Sequence, residues 1–153
     1  MRGYFEVGIY HPKSEQNIGT LWRSAYQLGA AGLFVIGRRY RRQPSDTYNA
    51  VLHTPLREYL TLDEMLAHRP VHAVLVGVEM GRTPLRTFIH PAQAIYLLGA
   101  EDHGLPPEIL SRCNQVVSLE SVGQASYNVA VAGSIVLYHR TFLQSGLVRG
   151  SHD

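Results

Sequence analysis

Short apolar runs alternate along this chain with polar segments that begin like helices, and this alternation constrains the fold more than any other feature. The runs at residues 33–37 and 71–78 have no polar face, as is typical of strands covered on both sides of a parallel sheet. Between such runs, apolar residues such as Ile18, Leu21 and Trp22 recur at helical spacing. Alternating strands and helices predict an α/β domain with a mainly parallel sheet flanked by helices.

We predict five strands, at residues 4–10, 33–37, 71–78, 94–99 and 115–120. The first helix follows Asn17, which stands where an N-cap would, and ends near Gly29 to Gly32. A short helix in the less regular middle of the chain has Thr61 or Asp63 as its possible cap. A further helix begins at the double proline of PPEILSRC.

The last long segment, SYNVAVAGSIVLYHRTFL, is apolar on nearly every side through its first half. A helix of this character needs cover on more than one face, either from its own domain or from a partner subunit.

Polar loops follow each predicted strand, and ligands of open α/β sheets bind beyond the carboxyl ends of the strands. These loops are HPKSEQN, GRRYRRQ, VEMGRTP, GAEDHGLPP and LESVGQASYN. We therefore expect any functional site to be built from these five segments.

The chain has 153 residues, the size of a single domain, and we assign residues 1–145 to it. Residues 146–153 form a tail that ends in LVRGSHD, which resembles a protease-site remnant left by expression. The single cysteine, Cys113, excludes an internal disulfide and favours a reducing compartment. No apolar stretch has the length of a membrane span or the pattern of a signal peptide, so we expect a cytoplasmic protein.

Several classes of site have little support. The chain has no phosphate-binding lysine loop and no Gly-x-Gly-x-x-Gly after its first strand, which disfavours the usual nucleotide fingerprints. Eight histidines are scattered along the chain, so no metal is expected, and Ser126 lies in no nucleophile elbow. The net charge of +2 is weak evidence for a nucleic-acid partner.

The charge distribution is more informative than the total, because GRRYRRQ places four of the 14 cationic side chains within five residues. These arginines are Arg38, Arg39, Arg41 and Arg42. The segment is either a solvated loop or a patch that contacts phosphates, and the residues alone leave both readings open.

Three segments carry polar residues at the edge where ligands bind. Asn17 and Arg23 lie on the first helix, Glu101 lies between two glycines, and Ser126 and Asn128 open the last helix. Taken singly, each has an ordinary explanation as a cap, a surface arginine or a turn.

Together the segments match three ordered motifs. NIGTLWRSAYQLGAAGLFVIG has Asn-x-Gly-x-x-x-Arg leading into a strand, LLGAEDHGLPPEIL has Gly-x-Glu-x-x-Gly-Leu, and SYNVAVAGSIVLYH has Ser-x-Asn-Val-x-x-Ala. In this order and at about these spacings, over residues 4–143, they resemble the SpoU/TrmH-type RNA 2′-O-ribose methyltransferases of the SPOUT superfamily. One departure is Glu120, which follows Leu119 where that family usually has proline.

The resemblance implies a SPOUT-type fold with a C-terminal trefoil knot, a homodimer, and S-adenosylmethionine held by the loops 77–81, 98–104 and 117–128. It implies a catalytic domain with no appended RNA-binding extension. The implied cofactor-binding residues are Gly77, Val78, Gly99, Leu119 and Ser126. The implied substrate is a tRNA or rRNA, contacted also by the arginine loop.

The resemblance also implies catalytic roles for Arg23, Asn17, Glu101, Ser126 and Asn128. A guanidinium keeps its proton in proteins, so we assign Arg23 to the adjacent phosphate and the developing alkoxide rather than to a base. We expect Glu101 to orient Arg23, and the remaining three residues to position Arg23 and the ribose. A non-catalytic RNA-binding module that retains the fold is the alternative.

Overall fold

Six parallel strands form one sheet at the centre of the computed structural model, which describes residues 3–41, 48–101, 104–123 and 126–144. The strands are β1 (Tyr4–Tyr10), β2 (Gly32–Ile36), β3 (Leu56–Tyr59), β4 (Val74–Pro84), β5 (Gln93–Leu98) and β6 (Gln115–Ser118). Their spatial order is β3-β2-β1-β5-β4-β6, so the chain changes direction across the sheet between β1 and β5. Ligands of open parallel sheets bind at such a switch point.

Helices cover both faces of this sheet. They are α1 (Glu15–Gln27), α2 (Tyr48–His53), α3 (Leu62–His68), α4 (Pro107–Leu110) and α5 (Val129–Tyr138), followed by a π-helical turn at His139–Gln144. The predicted fold class, a mainly parallel sheet flanked by helices, is confirmed. The C-terminal trefoil knot remains a prediction. Among the described residues, no helix combines the length and apolar character that crossing a bilayer requires.

The sequence-based boundaries were wrong in two regions. The sheet has six strands rather than five, because LREY forms β3 at its edge with only half-buried and exposed positions. β4 continues to Pro84 instead of turning away after Val78, and a register shift between Val78 and Thr83 lets both parts pair with β6.

The start of α1 also differs from the prediction. Ser14 is the N-cap, and its Oγ accepts the backbone N–H of Asn17 at 3.1 Å. Ser14 has the extended backbone that a cap requires, whereas Asn17 already lies inside the helix. The side chain of Asn17 is therefore free of the capping role and available to contacts outside its helix.

Two apolar clusters occupy the two faces of the sheet. On one face α1 and α5 pack so closely that a Cβ on Gly133 would lie 2.6 Å from Leu21 Cδ1. On the other face α3 and α4 bury Leu62, Met65 and Ile109 against the sheet. Close packing on both faces explains why the central strands have no polar side.

A buried polar network fixes the π-helical turn to the start of β5. His90 Nδ1 lies 2.6 Å from the Tyr96 hydroxyl, and His90 Nε2 lies 2.8 Å from His139 Nδ1. Arg140, 2% exposed, donates to Tyr96 Oη and to the carbonyls of Pro91 and Ala92. Burial, with smaller contributions from His139 and Arg140, lowers the pKa of His90 to about 3.

Candidate functional site

The second half of β4 and the segments that follow β5 and β6 line an open cavity of about 230 Å³. β4 contributes Val78 to Met80, the loop after β5 contributes Leu98 to Glu101 and Gly104, and the segment between β6 and α5 completes the wall. These are three of the five polar loops predicted to carry function. Open parallel sheets place their ligands at this edge.

Four of the five residues that the resemblance implied for the cofactor line this cavity: Val78, Gly99, Leu119 and Ser126. Gly77 is not among the lining residues. A Cβ at this position would lie 2.9 Å from Cys113 Sγ and 3.3 Å from Leu105 Cδ1. Gly77 therefore lets the segment around α4 approach the sheet.

The two glycines of the second motif fold the loop after β5 back on itself. A Cβ on Gly99 would lie 2.1 Å from the carbonyl carbon of Gly104, a distance that no side chain tolerates. Gly104 has φ +64°, which favours glycine, and its N–H donates to the carbonyl of Ala100 at 3.1 Å. The loop thus presents bare backbone to the cavity at Gly99 and the carboxylate of Glu101 beside it.

A chain of side-chain hydrogen bonds joins all three motifs. Asn17 Nδ2 donates to Glu101 Oε1 at 3.0 Å, and Asn128 Nδ2 donates to Asn17 Oδ1 at 3.0 Å. The other oxygen of Glu101 accepts the Lys13 backbone N–H at 3.2 Å. Asn128 Oδ1 caps α5 by accepting the N–H groups of Ala130 and Val131. The motifs, separated by 84 and 111 residues in sequence, therefore meet in one network.

Arg23 and Ser126 stand outside this network. Arg23 is exposed on α1 and makes no hydrogen bond or ion pair with any residue that the structure describes. Glu101 contacts Asn17 and Lys13, not Arg23, so the expected contact between Glu101 and Arg23 is absent in the described part of the chain. The Ser126 hydroxyl lies on the cavity wall, 3.6 Å from Met80 Sδ.

The arginines of the segment GRRYRRQ differ in their contacts and exposure. Arg38 donates to the Pro12 carbonyl at 3.0 Å and forms an ion pair with Glu15. Glu15 also accepts the Arg41 backbone N–H at 2.8 Å. Arg39 is exposed, and Arg42 lies outside the described residues. Arg38 therefore ties the arginine loop to the start of α1, and Arg39 is the more accessible of these two cations.

Sequence reasoning missed Glu79 and Tyr127. The Glu79 carboxylate lines the cavity and accepts the backbone N–H groups of Met80 and Leu105 at 2.9 and 2.8 Å. The Tyr127 hydroxyl donates to the Glu120 carbonyl at 2.6 Å, which fixes the loop where the motif's proline is missing. The available signal was position, because Glu79 lies in VEMGRTP, one of the predicted functional loops.

The cavity has an acidic wall. Among the described lining residues, Glu79 and Glu101 are acidic, and none is lysine, arginine or histidine. In the described ranges, no cluster of three His, Cys, Asp or Glu side chains could hold a metal ion.

An α/β domain with a cavity at the carboxyl ends of its parallel strands belongs to the large class that binds nucleotides or related cofactors there. Within this class, the model of the SpoU rRNA Methylase family matches residues 4–138, and the chain belongs to this family. The membership confirms the resemblance read from the three motifs.

A curated relative is an uncharacterized tRNA/rRNA methyltransferase of Archaeoglobus fulgidus, 25% identical over 142 residues. The match covers 89% of this chain and 63% of the relative, so the chain spans less than two thirds of that protein.

Three solved structures share the fold. The SpoU methyltransferase AviRb of Streptomyces viridochromogenes, crystallised with AdoMet, is 26% identical to this chain and superposes with a TM-score of 0.79. The match covers 94% of this chain and 59% of the AviRb chain. A protein studied for 2-OH methylation of C/U34 on tRNA is 25% identical with a TM-score of 0.79 over 94% and 98% of the two chains. The TrmH/SpoU tRNA modifying enzyme of A. aeolicus, 19% identical, has a TM-score of 0.80 over 95% and 78% and shows the fold alone.

Proposed function

We propose that this protein is an RNA methyltransferase that transfers a methyl group from S-adenosylmethionine to a ribose 2′-hydroxyl of tRNA or rRNA. The observation that carries the proposal is the Asn17–Glu101–Asn128 network, which brings all three family motifs to the edge of one glycine-walled cavity. AviRb bound to AdoMet and the protein studied for 2-OH methylation support it, as structural neighbours of this chain.

The cavity fits the proposed cofactor. Gly99 leaves backbone exposed on one wall, where a Cβ has no room, while Leu119, Val129 and Ala132 make an apolar wall suited to an adenosine. Backbone at Val78 to Met80 and the Ser126 hydroxyl supply polar contacts. When bound, S-adenosylmethionine supplies an activated methyl group on a sulfonium sulfur.

The protein's own groups orient the target ribose. Asn17 and Asn128 hold each other and Glu101 in fixed positions, which preorganises polar groups beside the cavity. Arg23, exposed and without a described partner, binds the phosphate next to the ribose and stabilises the developing alkoxide. The hydroxyl proton leaves to that phosphate or to solvent, because a guanidinium does not act as a base.

A homodimer completes the proposal. The exposed face of α5 and the π-helical turn carries five large apolar side chains, each between 37% and 54% exposed: Val131, Ile135, Tyr138, Phe142 and Leu143. A continuous apolar face of this size is typical of a subunit interface. Asn128 caps α5, so this interface would adjoin the site.

Nucleoside analysis tests the reaction. Purified protein is incubated with total RNA and S-adenosylmethionine carrying a labelled methyl group, and the RNA is digested to nucleosides for mass spectrometry. We expect label in a 2′-O-methylated nucleoside. Label confined to a methylated base would contradict the ribose assignment, and RNA binding without any labelling would support the non-catalytic alternative.

Arg23→Lys tests the assigned role of the guanidinium. A lysine keeps the charge but cannot make the bidentate hydrogen bonds of a guanidinium to phosphate, so we expect the turnover number to fall on the order of a hundredfold. Arg57→Lys, on the exposed surface of β3, is the matched control. Turnover retained in Arg23→Lys would show that only the charge is needed.

The arginine loop predicts a salt effect. Removing one phosphate contact reduces the slope of log affinity against log salt concentration by roughly 0.7 to 0.9. We expect this reduction for Arg39→Ala in RNA binding measured from low to high salt, and no change for Arg112→Ala, which pairs with Asp63 on another surface. An unchanged slope in Arg39→Ala would show that Arg39 makes no phosphate contact, as expected if the loop is only solvated.

A further inference from the structure

Glu79 holds a fixed negative charge on the wall of the cavity. Its Oε1 accepts the backbone N–H of Met80 at 2.9 Å, and its Oε2 accepts the backbone N–H of Leu105 at 2.8 Å. Both donors are uncharged amides, so they orient the carboxylate without neutralising it. The carboxylate is thus preorganised at the cavity before any ligand arrives.

The second-motif loop is shaped to receive this carboxylate. A Cβ on Gly104 would lie 2.3 Å from Glu79 Oε2, so a side chain at position 104 would displace the carboxylate. Gly104 is required for its positive φ as well. The loop that carries Glu101 therefore closes against Glu79, and the two acidic groups share one wall.

No cation in the described ranges balances Glu79. The ion pairs there join Arg38 to Glu15, Arg86 to Glu120 and Arg112 to Asp63, and none includes Glu79. Lysine, arginine and histidine are missing from the described residues of the cavity wall. A fixed negative charge on the wall of an open cavity attracts a ligand with positive charge, and solvent and salt weaken this attraction.

The proposed methyl donor and its by-product differ in this property. S-adenosylmethionine has a sulfonium, an ammonium and a carboxylate, for a net charge of +1, whereas S-adenosylhomocysteine has a neutral thioether and no net charge. We propose that Glu79 is a specificity-determining residue that makes the cavity prefer the charged donor to the neutral by-product. This inference rests on the proposed function.

Equilibrium binding tests it. By titration calorimetry, we expect Glu79→Gln to weaken S-adenosylmethionine binding three- to tenfold and to change S-adenosylhomocysteine binding by less than twofold, as expected for one screened charge. Glu108→Gln changes the net charge equally on the exposed surface of α4 and serves as the control, with both affinities unchanged.

Two outcomes would overturn the inference. If both affinities fall together in Glu79→Gln, the residue only holds the Leu105 loop in place, and if neither changes, its charge has no effect. A wild-type protein that binds neither compound would instead contradict the proposed function, so the two failures are distinguishable.

The wild-type protein offers a second measurement that depends on no variant. If the preference for the donor is electrostatic, the ratio of the two affinities should fall as the salt concentration rises, because ions screen a charge at an open cavity. A ratio that stays constant from about 20 to 500 mM salt would contradict the role of the charge.

Discussion

Asn17 connects three elements of the protein through one side-chain amide. Its Nδ2 donates to Glu101 after β5, and its Oδ1 accepts from Asn128 at the start of α5. An asparagine suits this position because one side chain both donates and accepts. A carboxylate would repel Glu101, and an aliphatic residue would remove one hydrogen bond from each neighbour.

Asn17→Ala should therefore affect catalysis more than cofactor binding. We expect the turnover number to fall on the order of ten- to a hundredfold, since Glu101 and Asn128 each lose the hydrogen bond to Asn17. The affinity for S-adenosylhomocysteine should stay within about threefold of the wild-type value, because Asn17 is outside the cavity wall. Loss of two hydrogen bonds should lower the free energy of unfolding by about 1–2 kcal/mol.

Thr61→Ala provides a control for that loss of stability. This substitution removes the Thr61 Oγ1, which caps α3 by accepting the Glu64 N–H at 3.1 Å. It should lower the free energy of unfolding by about 1 kcal/mol without changing turnover. Equal losses of turnover in the two variants would show that Asn17 acts through stability alone.

Among the elements, the buried strands were predictable and the edge strand was not. β1, β2 and β5 are nearly or fully buried along their length, so their apolar runs identify them. β3 has no buried position, and the second half of β4 is a polar stretch. Both depend on neighbouring strands for their pairing, information that the local sequence does not contain.

The network that fixes the π-helical turn was equally hidden from the sequence. Eight histidines appeared scattered, yet His90 and His139 lie side by side although 49 residues apart. Burial lowers the pKa of both groups below the ordinary value, with Glu120 acting in the opposite direction on His139.

This network predicts acid sensitivity. The unfolded chain binds a proton at His90 below about pH 6.5, whereas the folded chain resists it down to about pH 3. Stability is therefore independent of His90 above about pH 7 and falls as the pH drops from 6.5 toward 3.

Melting temperatures between pH 8 and 4 test this dependence. His90→Asn should melt lower at pH 8 and lose less on acidification than the wild type. His72→Asn, at an exposed position with φ +70° that asparagine tolerates, should keep the wild-type profile. A variant at position 90 with an unaltered acid slope would contradict the assignment to His90.

At the scale of the whole molecule, the sequence predicted which loops converge. It did not predict which residues of those loops line the cavity and which pack elsewhere. The order of the three motifs was enough to predict a shared site, and the structure brings Asn17, Glu101 and Asn128 together. The side on which Gly77 packs depends on how the segment after α4 crosses the sheet, and Glu79 gains its contact with the Leu105 N–H only when the Gly104 loop closes. Such features follow from the tertiary arrangement.

The proposed dimer makes a prediction about assembly. Light scattering should give the wild type twice the chain mass of 17.1 kDa, and Ile135→Glu should give the monomer, because a charge at the centre of an apolar interface is strongly unfavourable. Ile135 is 37% exposed in the single chain, so the chain itself should still fold. We expect the monomer to lose turnover.

Val71→Glu introduces the same charge outside the proposed interface, at an apolar residue that is 79% exposed. It should leave both the mass and the turnover number unchanged. A wild-type protein that is monomeric at assay concentration and still methylates RNA would contradict the dimer.

The cavity formed by β4 and the segments after β5 and β6 is central to the proposed function, and a crystal structure grown with saturating S-adenosylhomocysteine tests it directly. We predict that the adenosine lies against the Gly99 backbone and the side chains of Leu119 and Val129, with the sulfur end toward Glu79 and Ser126. Adenosine bound on another surface, or a cavity that stays empty at saturation, would contradict the central claim.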